Sequence, residues 1–150
     1  VSLAGLLVVL RALVAAPALS RGERLFAAPA FSALAAWLTA ASIVNIAASL
    51  KYHGIVGADP APATATVMIV IGAAIAAVAA ASVRGAPLYG LVFSWALIAI
   101  NAAGGQRFPT VGWAAIGGIV LVLAVTVWQL SHKDNRRHWF GGSQARPTLT

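Results

Sequence analysis

Few side chains in this sequence could take part in catalysis or metal binding, and its acidic residues and histidines all lie outside its long apolar runs. The acids are Glu23, Asp59 and Asp134, and the histidines are His53, His132 and His138. No two of them have the H-x-x-x-H or E-x-x-H spacing of metal ligands on one helix face, and the sequence contains no cysteine. Catalysis needs a nucleophile, an acid–base pair or a metal. The sequence therefore predicts a protein that is not an enzyme.

Two asparagines, Asn45 and Asn101, do lie within apolar runs. An amide carries donors and acceptors that hydrocarbon cannot satisfy, so we expect both side chains to point into a helix bundle and to face a common interior region. They could form a polar anchor at the floor of a ligand pocket. Alternatively, they could form interhelical hydrogen bonds that only hold the bundle, each worth about 1 kcal/mol.

The tryptophans provide a second set of candidates. Trp37 and Trp95 lie deep in apolar runs, where an indole needs an acceptor for its N–H. They either line a cavity for a flat apolar ligand or fill volume. Trp113 lies near the end of a run, where interfacial tryptophans are common. The predicted ligand-binding residues are Trp37, Asn45, Trp95 and Asn101, with Trp113 and Tyr52 nearer the mouth of the site.

Apolar runs of membrane length must position these side chains. Of 150 residues, 61% are hydrophobic and 9% are charged, whereas a soluble domain has about 25% charged residues. The predicted spans are Leu3–Leu19, Ala30–Leu50, Thr64–Val83, Leu88–Ala103 and Thr110–Ser131. We therefore expect an all-α polytopic membrane bundle of five helices over residues 1–131, and a basic, partly disordered tail over residues 132–150.

The first segment allows two interpretations. Val1–Leu19 resembles a signal peptide, but no basic stretch precedes its apolar core, and Arg11 interrupts that core. We expect a membrane span, with Arg11 reaching the interface or facing the bundle. If this segment is not a span, the other four helices form the bundle.

Positive charge sets the expected orientation of the bundle. The formal net charge is +7. One end would carry Arg21, Arg24, Arg84, Lys133, Arg136, Arg137 and Arg146, and the other only Lys51 and Arg107. The positive-inside rule then predicts a multi-pass membrane protein with a cytoplasmic C-terminus, and the membrane that we expect is a bacterial inner membrane. Basic residues at the ends of apolar runs suit lipid head groups, so the lipid bilayer is the expected partner and nucleic acid is not.

Two short stretches resemble a known family. The run Trp37-Leu38-Thr39-Ala40-Ala41-Ser42-Ile43-Val44-Asn45 has the pattern W-x-x-x-A-x-x-x-N, and Pro29-Ala30-Phe31-Ser32 precedes it. A later run holds Tyr89 and then Trp95-Ala96-Leu97-Ile98. Together they resemble the TspO/MBR family, the tryptophan-rich sensory proteins related to the translocator protein, and specifically the C-terminal part of a longer bacterial form. The resemblance implies an all-helical membrane protein that binds porphyrins or other flat hydrophobic molecules, with Trp37, Ala41 and Asn45 at the motif positions.

Two functions of different classes are consistent with these features. The first is a non-enzymatic TspO-like protein that binds a hydrophobic ligand, such as a tetrapyrrole, within the bundle. No histidine lies inside a predicted span to act as an axial ligand for such a molecule. The second is a small accessory subunit of a larger membrane complex, favoured by the Ala- and Gly-rich helix faces, the basic tail and the lack of catalytic groups. A homo-oligomer is compatible with either function.

Overall fold

The computed structural model describes residues 2–16, 19–55 and 62–141, and helices occupy nearly all of them. In chain order they are α1 (Ser2–Ala15), α2 (Ala28–Tyr52), α3 (Pro62–Ser82), α4 (Pro87–Ile100), α5 (Pro109–Ser131) and α6 (Lys133–Phe140). A π-helical turn, Glu23–Ala27, leads into α2, and a second one, Asn101–Gly105, extends α4. The predicted all-α class is confirmed.

Four helices in the described part of the chain are long and apolar enough to cross a membrane. They are Glu23–Tyr52, Pro62–Ser82, Pro87–Gly105 and Pro109–Ser131. The shortest has 19 residues, or about 28 Å at 1.5 Å per residue, close to the thickness of the hydrocarbon core. α1 has only 14 residues, about 21 Å, and it packs against α2 with Arg11 exposed. Among the described residues, the helices of membrane length are therefore those of the smaller predicted bundle, and Arg11 does not face the bundle interior.

Local sequence sets where the helices begin. Ser20 and Glu23 form a capping box, in which the Ser20 N–H donates to Glu23 Oε2 at 2.8 Å and the Glu23 N–H donates to Ser20 Oγ at 3.2 Å. Proline occupies the first position of α3, α4 and α5. Its missing N–H costs nothing there, because the first N–H groups of a helix have no intrahelical partner.

The turn between α3 and α4 depends on a glycine. Arg84 and Gly85 both have positive φ, 53° and 67°, and the Gly85 N–H donates to the Ala80 carbonyl at 2.9 Å. This left-handed ending closes α3. Gly85 also lies against α5, because a Cβ at this position would stand 2.8 Å from the Thr126 carbonyl oxygen. Only glycine satisfies both the conformation and the close approach.

Close contacts between small residues hold the bundle together. α5 packs extensively against α3 and α4, and α2 packs against α4. A Cβ on Gly118 of α5 would stand 3.0 Å from the Ala73 Cβ of α3. The small buried residues of α3 are Gly72, Ala73, Ala76, Ala77 and Ala80. Because lipid removes the hydrophobic drive between helices, this close van der Waals packing supplies much of their attraction.

α2 is less closely packed against its neighbours in its second half. Its buried residues are Ala28, Ser32, Ala35, Ala36 and Thr39, all in the first half of the helix. There the Tyr89 hydroxyl of α4 donates to Thr39 Oγ1 at 3.3 Å. Beyond Thr39 no residue of α2 is buried, and the contact between α2 and α3 is less extensive than that between α2 and α4. This looser packing leaves a space between α2, α3 and α4.

α6 packs against the turn between α3 and α4. The Trp139 indole donates to the Arg84 carbonyl at 3.1 Å. Asn135 donates to the Gln129 carbonyl at 2.9 Å, and Gln129 donates to the Ala81 carbonyl at 3.1 Å. The predicted tail, 132–150, therefore begins with a docked helix, while residues 142–150 lie outside the described residues.

Candidate ligand-binding site

The space beside the second half of α2 is a half-open cavity of about 210 Å³. Every residue that lines it is apolar or glycine, and the residues come from α2, α3, α4 and the first turn of α5. They are Ala40, Ile43, Val44, Ala47, Ala65, Met68, Ile69, Gly72, Phe93, Ala96, Leu97, Ile100 and Val111. Such a cavity can bind a ligand only by shape and apolar burial, because it offers no charged or hydrogen-bonding side chain.

The walls of the cavity differ in burial. Phe93 and Leu97 of α4 are 2% and 3% exposed and form its buried side, whereas Val44 of α2 is 52% exposed at its open side. α2 and α3 meet where Ile43 fills the place of a side chain on Gly72, since a Cβ on Gly72 would stand 2.8 Å from Ile43 Cδ1. Gly72 thus sets the distance between α2 and α3, and with it the width of the cavity.

None of the six residues predicted to bind a ligand lines this cavity. Trp37 and Trp95 do meet, with ring centroids 5.9 Å apart and planes inclined by 36°. They meet on the outer surface of α2 and α4, however, where the two side chains are 48% and 57% exposed. Tyr52 is almost fully exposed and contacts His53 edge-on.

The expectation that Asn45 and Asn101 face a common interior region is wrong. Asn45 is exposed on the second half of α2, where no residue is buried. Asn101 is half-buried in the π-helical turn after α4. It lies with Trp113 and Gln106 around a separate depression of about 220 Å³ between that turn and α5.

The residues that form the cavity carry no polar or aromatic signature apart from Phe93. Ile43, Met68 and Leu97 look like ordinary lipid-facing or packing residues in the sequence, and only their tertiary arrangement makes them a site. No group of three or more His, Asp or Glu side chains in residues 2–16, 19–55 and 62–141 is arranged to hold a metal ion. What this region can do chemically is therefore non-covalent binding of an apolar molecule.

Comparison with known proteins gives one match. A family model described as TSPO-like protein matches residues 1–128. The matched region includes both stretches on which the sequence resemblance rests, the Trp37–Asn45 run and the later Tyr89–Ile98 run. No curated protein and no solved structure matches the chain.

Proposed function

This chain belongs to the TSPO-like protein family, and from that membership we propose that it is a non-enzymatic integral membrane protein that binds a hydrophobic ligand within its helix bundle. The observation that carries the proposal is the apolar cavity between α2, α3 and α4. Because lipid removes the hydrophobic drive, the affinity for a ligand that comes from the bilayer depends on close van der Waals contact with the residues that line this cavity. A tetrapyrrole is the ligand class that the family resemblance suggests.

The size of the cavity decides how such a ligand would sit. A volume of about 210 Å³ is below the 300–1,000 Å³, approximately, of pockets that enclose drug-sized molecules. A macrocycle would therefore insert one apolar edge between Ile43 and Leu97 and leave the rest in the opening beside Val44. That opening faces the hydrocarbon, so an apolar ligand can enter from the bilayer without crossing water.

Titration of the purified protein with a porphyrin, followed by tryptophan fluorescence, tests the proposal. Ala96 lines the cavity and is 8% exposed, so Ala96→Leu fills the space and should weaken binding about tenfold. Ala99 lies on the exposed side of the same helix, and Ala99→Leu adds the same atoms without entering the cavity. It should bind like the wild type. Equal affinity in the wild type and in both variants would show that the ligand does not bind in the apolar cavity.

The six residues identified from the sequence remain a prediction that the same titration tests. If the ligand binds at the outer surface instead, Trp95→Phe and Asn45→Ala should weaken binding while Ala96→Leu should not. If it binds in the cavity, Ala96→Leu should weaken binding, while Trp95→Phe and Asn45→Ala should not. Absence of saturable quenching in the wild type would count against tetrapyrrole binding at either place.

The exposed outer surface of α2 and α4 favours the second function, a subunit of a larger assembly. Trp37, Asn45 and Trp95 all face outward along the bundle. An amide such as that of Asn45 that faces hydrocarbon is costly, and a polar partner on another helix would relieve the cost. Mild-detergent extraction and native electrophoresis should then show the wild type in a larger species, and Asn45→Leu should reduce that species. Migration of the wild type as a monomer would exclude this function.

A further inference from the structure

A second cavity lies at the opposite end of the bundle from the apolar one. It has a volume of about 270 Å³ and is bordered by Arg24, Ser32, Pro87, Trp139 and Phe140, among others. These residues come from the start of the α2 helix, the start of α4 and the end of α6. We call it the basic-end cavity. Unlike the apolar cavity, it has a cation in its wall.

The guanidinium of Arg24 is only partly satisfied by the protein. One terminal nitrogen donates to the Leu19 carbonyl at 2.9 Å, while Nε is buried and meets no acceptor in the part of the chain that the structure describes. The neighbouring acid, Glu23, already accepts the Ser20 N–H at 2.8 Å. A buried donor on a charged group that lacks an acceptor is costly, and an anion is the group that best satisfies it.

A second unsatisfied polar side chain lies close to the basic-end cavity. His138, the residue before Trp139, is 7% exposed, and its Nε2 has no hydrogen-bond partner among the described residues. Burial and the guanidinium groups of Arg84 and Arg24 lower the pKa of His138. Two arginines therefore supply positive charge here, and the neutral imidazole can still donate or accept a hydrogen bond.

We propose that the basic-end cavity binds the phosphate group of an anionic phospholipid. Arg24 contacts the phosphate, and its planar guanidinium suits two oxygens at once. Trp139 is fixed by its bond to the Arg84 carbonyl and forms a rigid wall, while Phe140, 63% exposed, contacts the glycerol and the upper acyl chains. Arg24 lies in the first turn of the membrane-spanning helix Glu23–Tyr52, which places it at head-group depth. The proposal does not depend on ligand binding in the apolar cavity.

Native mass spectrometry of the full chain, released from detergent with phosphatidylglycerol or phosphatidylcholine, tests this assignment. The wild type should retain phosphatidylglycerol in preference to phosphatidylcholine. Arg24→Gln should reduce that retention about tenfold, the effect of losing one charge-assisted contact. Arg21→Gln is the matched control, since Arg21 is exposed in the same connection and the change removes the same charge. It should alter retention less than twofold.

Three results would overturn the proposal. Equal losses in Arg24→Gln and Arg21→Gln would mean that the protein attracts anionic lipid only through its net charge. Equal retention of the two lipids by the wild type would mean that the cavity does not select an anionic head group, since phosphatidylcholine carries the same phosphate together with a cationic choline. Displacement of phosphatidylglycerol by inorganic phosphate would assign the cavity to a soluble phosphate compound. Arg24→Lys keeps the charge if Arg24→Gln disturbs folding, and it should show an intermediate loss of phosphatidylglycerol.

Discussion

At the scale of single residues, the pair Tyr89 and Thr39 joins α2 and α4 through a buried hydrogen bond. Tyr89 is fully buried, and its hydroxyl donates to Thr39 Oγ1 over 3.3 Å, a long distance for an O–H donor. Thr39 Oγ1 in turn donates to the Ala35 carbonyl at 2.8 Å. The aromatic ring fills the space between α2 and α4, and the hydroxyl adds a weak bond to it.

We predict that Tyr89→Phe lowers the free energy of unfolding by about 1 kcal/mol or less. Tyr89→Ala also removes the buried ring and should cost about 3–5 kcal/mol. Unfolding in detergent by titration with sodium dodecyl sulfate, followed by helicity, measures both. A double-mutant cycle with Thr39→Val isolates the hydrogen bond. A coupling energy well above 1 kcal/mol would show that the hydroxyl pair, and not the ring, joins the two helices.

The side chain of Asn45 does not point into the bundle as the sequence predicts. Hydrocarbon penalises an outward amide, and this argument is sound for a helix packed along its whole length. The buried residues of α2 end at Thr39, and its sequence carries small residues on several faces, so no apolar stripe indicates where close packing ends. Both Asn45 and the α2 wall of the apolar cavity lie in the less buried half that follows. Both features depend on the angle between helices, which a single sequence does not specify.

At the scale of elements, the α3–α4 turn is where the local sequence is most restrictive. Two glycines of the chain, Gly54 and Gly85, have nearly the same positive φ, 68° and 67°. A Cβ at Gly54 would meet nothing within 4 Å, whereas one at Gly85 would stand 2.7 Å from Gln129 Cβ and 2.8 Å from the Thr126 carbonyl oxygen. An alanine at position 54 would therefore introduce backbone strain alone, whereas an alanine at position 85 would introduce the same strain and also a clash with α5.

We predict that Gly54→Ala destabilises the protein by about 1 kcal/mol, the cost of a left-handed alanine. Gly85→Ala should cost at least about 2 kcal/mol, because it adds displacement of α5 to the same backbone strain. Thermal unfolding of the two variants in one detergent provides the comparison. Equal destabilisation of the two variants would show that α5 can move away from residue 85 at no cost in stability. Glycine at position 85 would then be required only for its backbone conformation.

α6 is the element whose packing should depend on pH. His138 is a buried residue of this helix, and burial, with the charges of Arg84 and Arg24, lowers its pKa from the usual 6.5. Its neutral form is therefore favoured in the docked helix. Above about pH 6.5 both docked and undocked states hold a neutral ring, and the docked state is most stable. As the pH falls below that value, the imidazole of the undocked state is protonated while that of the docked state stays neutral, so docking weakens. The weakening ends once the pH is below the pKa of His138 in the docked state.

Hydrogen exchange of the α6 amides should therefore accelerate between about pH 7 and pH 5, after correction for the intrinsic rate. His138→Phe should remove the excess acceleration, since it fills the same buried site with a ring that does not titrate. His132→Phe is the control, because His132 is exposed and its change should leave the profile as in the wild type. A profile that is unchanged in His138→Phe would place the pH dependence on another group.

At the scale of the whole molecule, the sequence predicts the spans well and their assembly poorly. The last three predicted segments lie within two residues of Pro62–Ser82, Pro87–Gly105 and Pro109–Ser131, because apolar length is a local property. The second predicted segment, Ala30–Leu50, lies inside Glu23–Tyr52 but begins seven residues late. The family resemblance is also confirmed over residues 1–128. The candidate site was not predictable in the same way, since its apolar lining residues are brought together only by the packing of α2 against α3 and α4.

The direction in which the bundle crosses the membrane remains a prediction, and the cysteine-free sequence makes it directly measurable. His53 follows α2 and Asp134 lies in α6, and both are exposed. Three spans separate them, so they must lie on opposite sides of the membrane. The basic residues lie mainly on the Asp134 side, which the positive-inside rule places in the cytoplasm. In intact spheroplasts, a membrane-impermeant maleimide should label His53→Cys at once and Asp134→Cys only after permeabilisation. The reverse pattern would invert the bundle, and labelling of both without permeabilisation would contradict three spans between them.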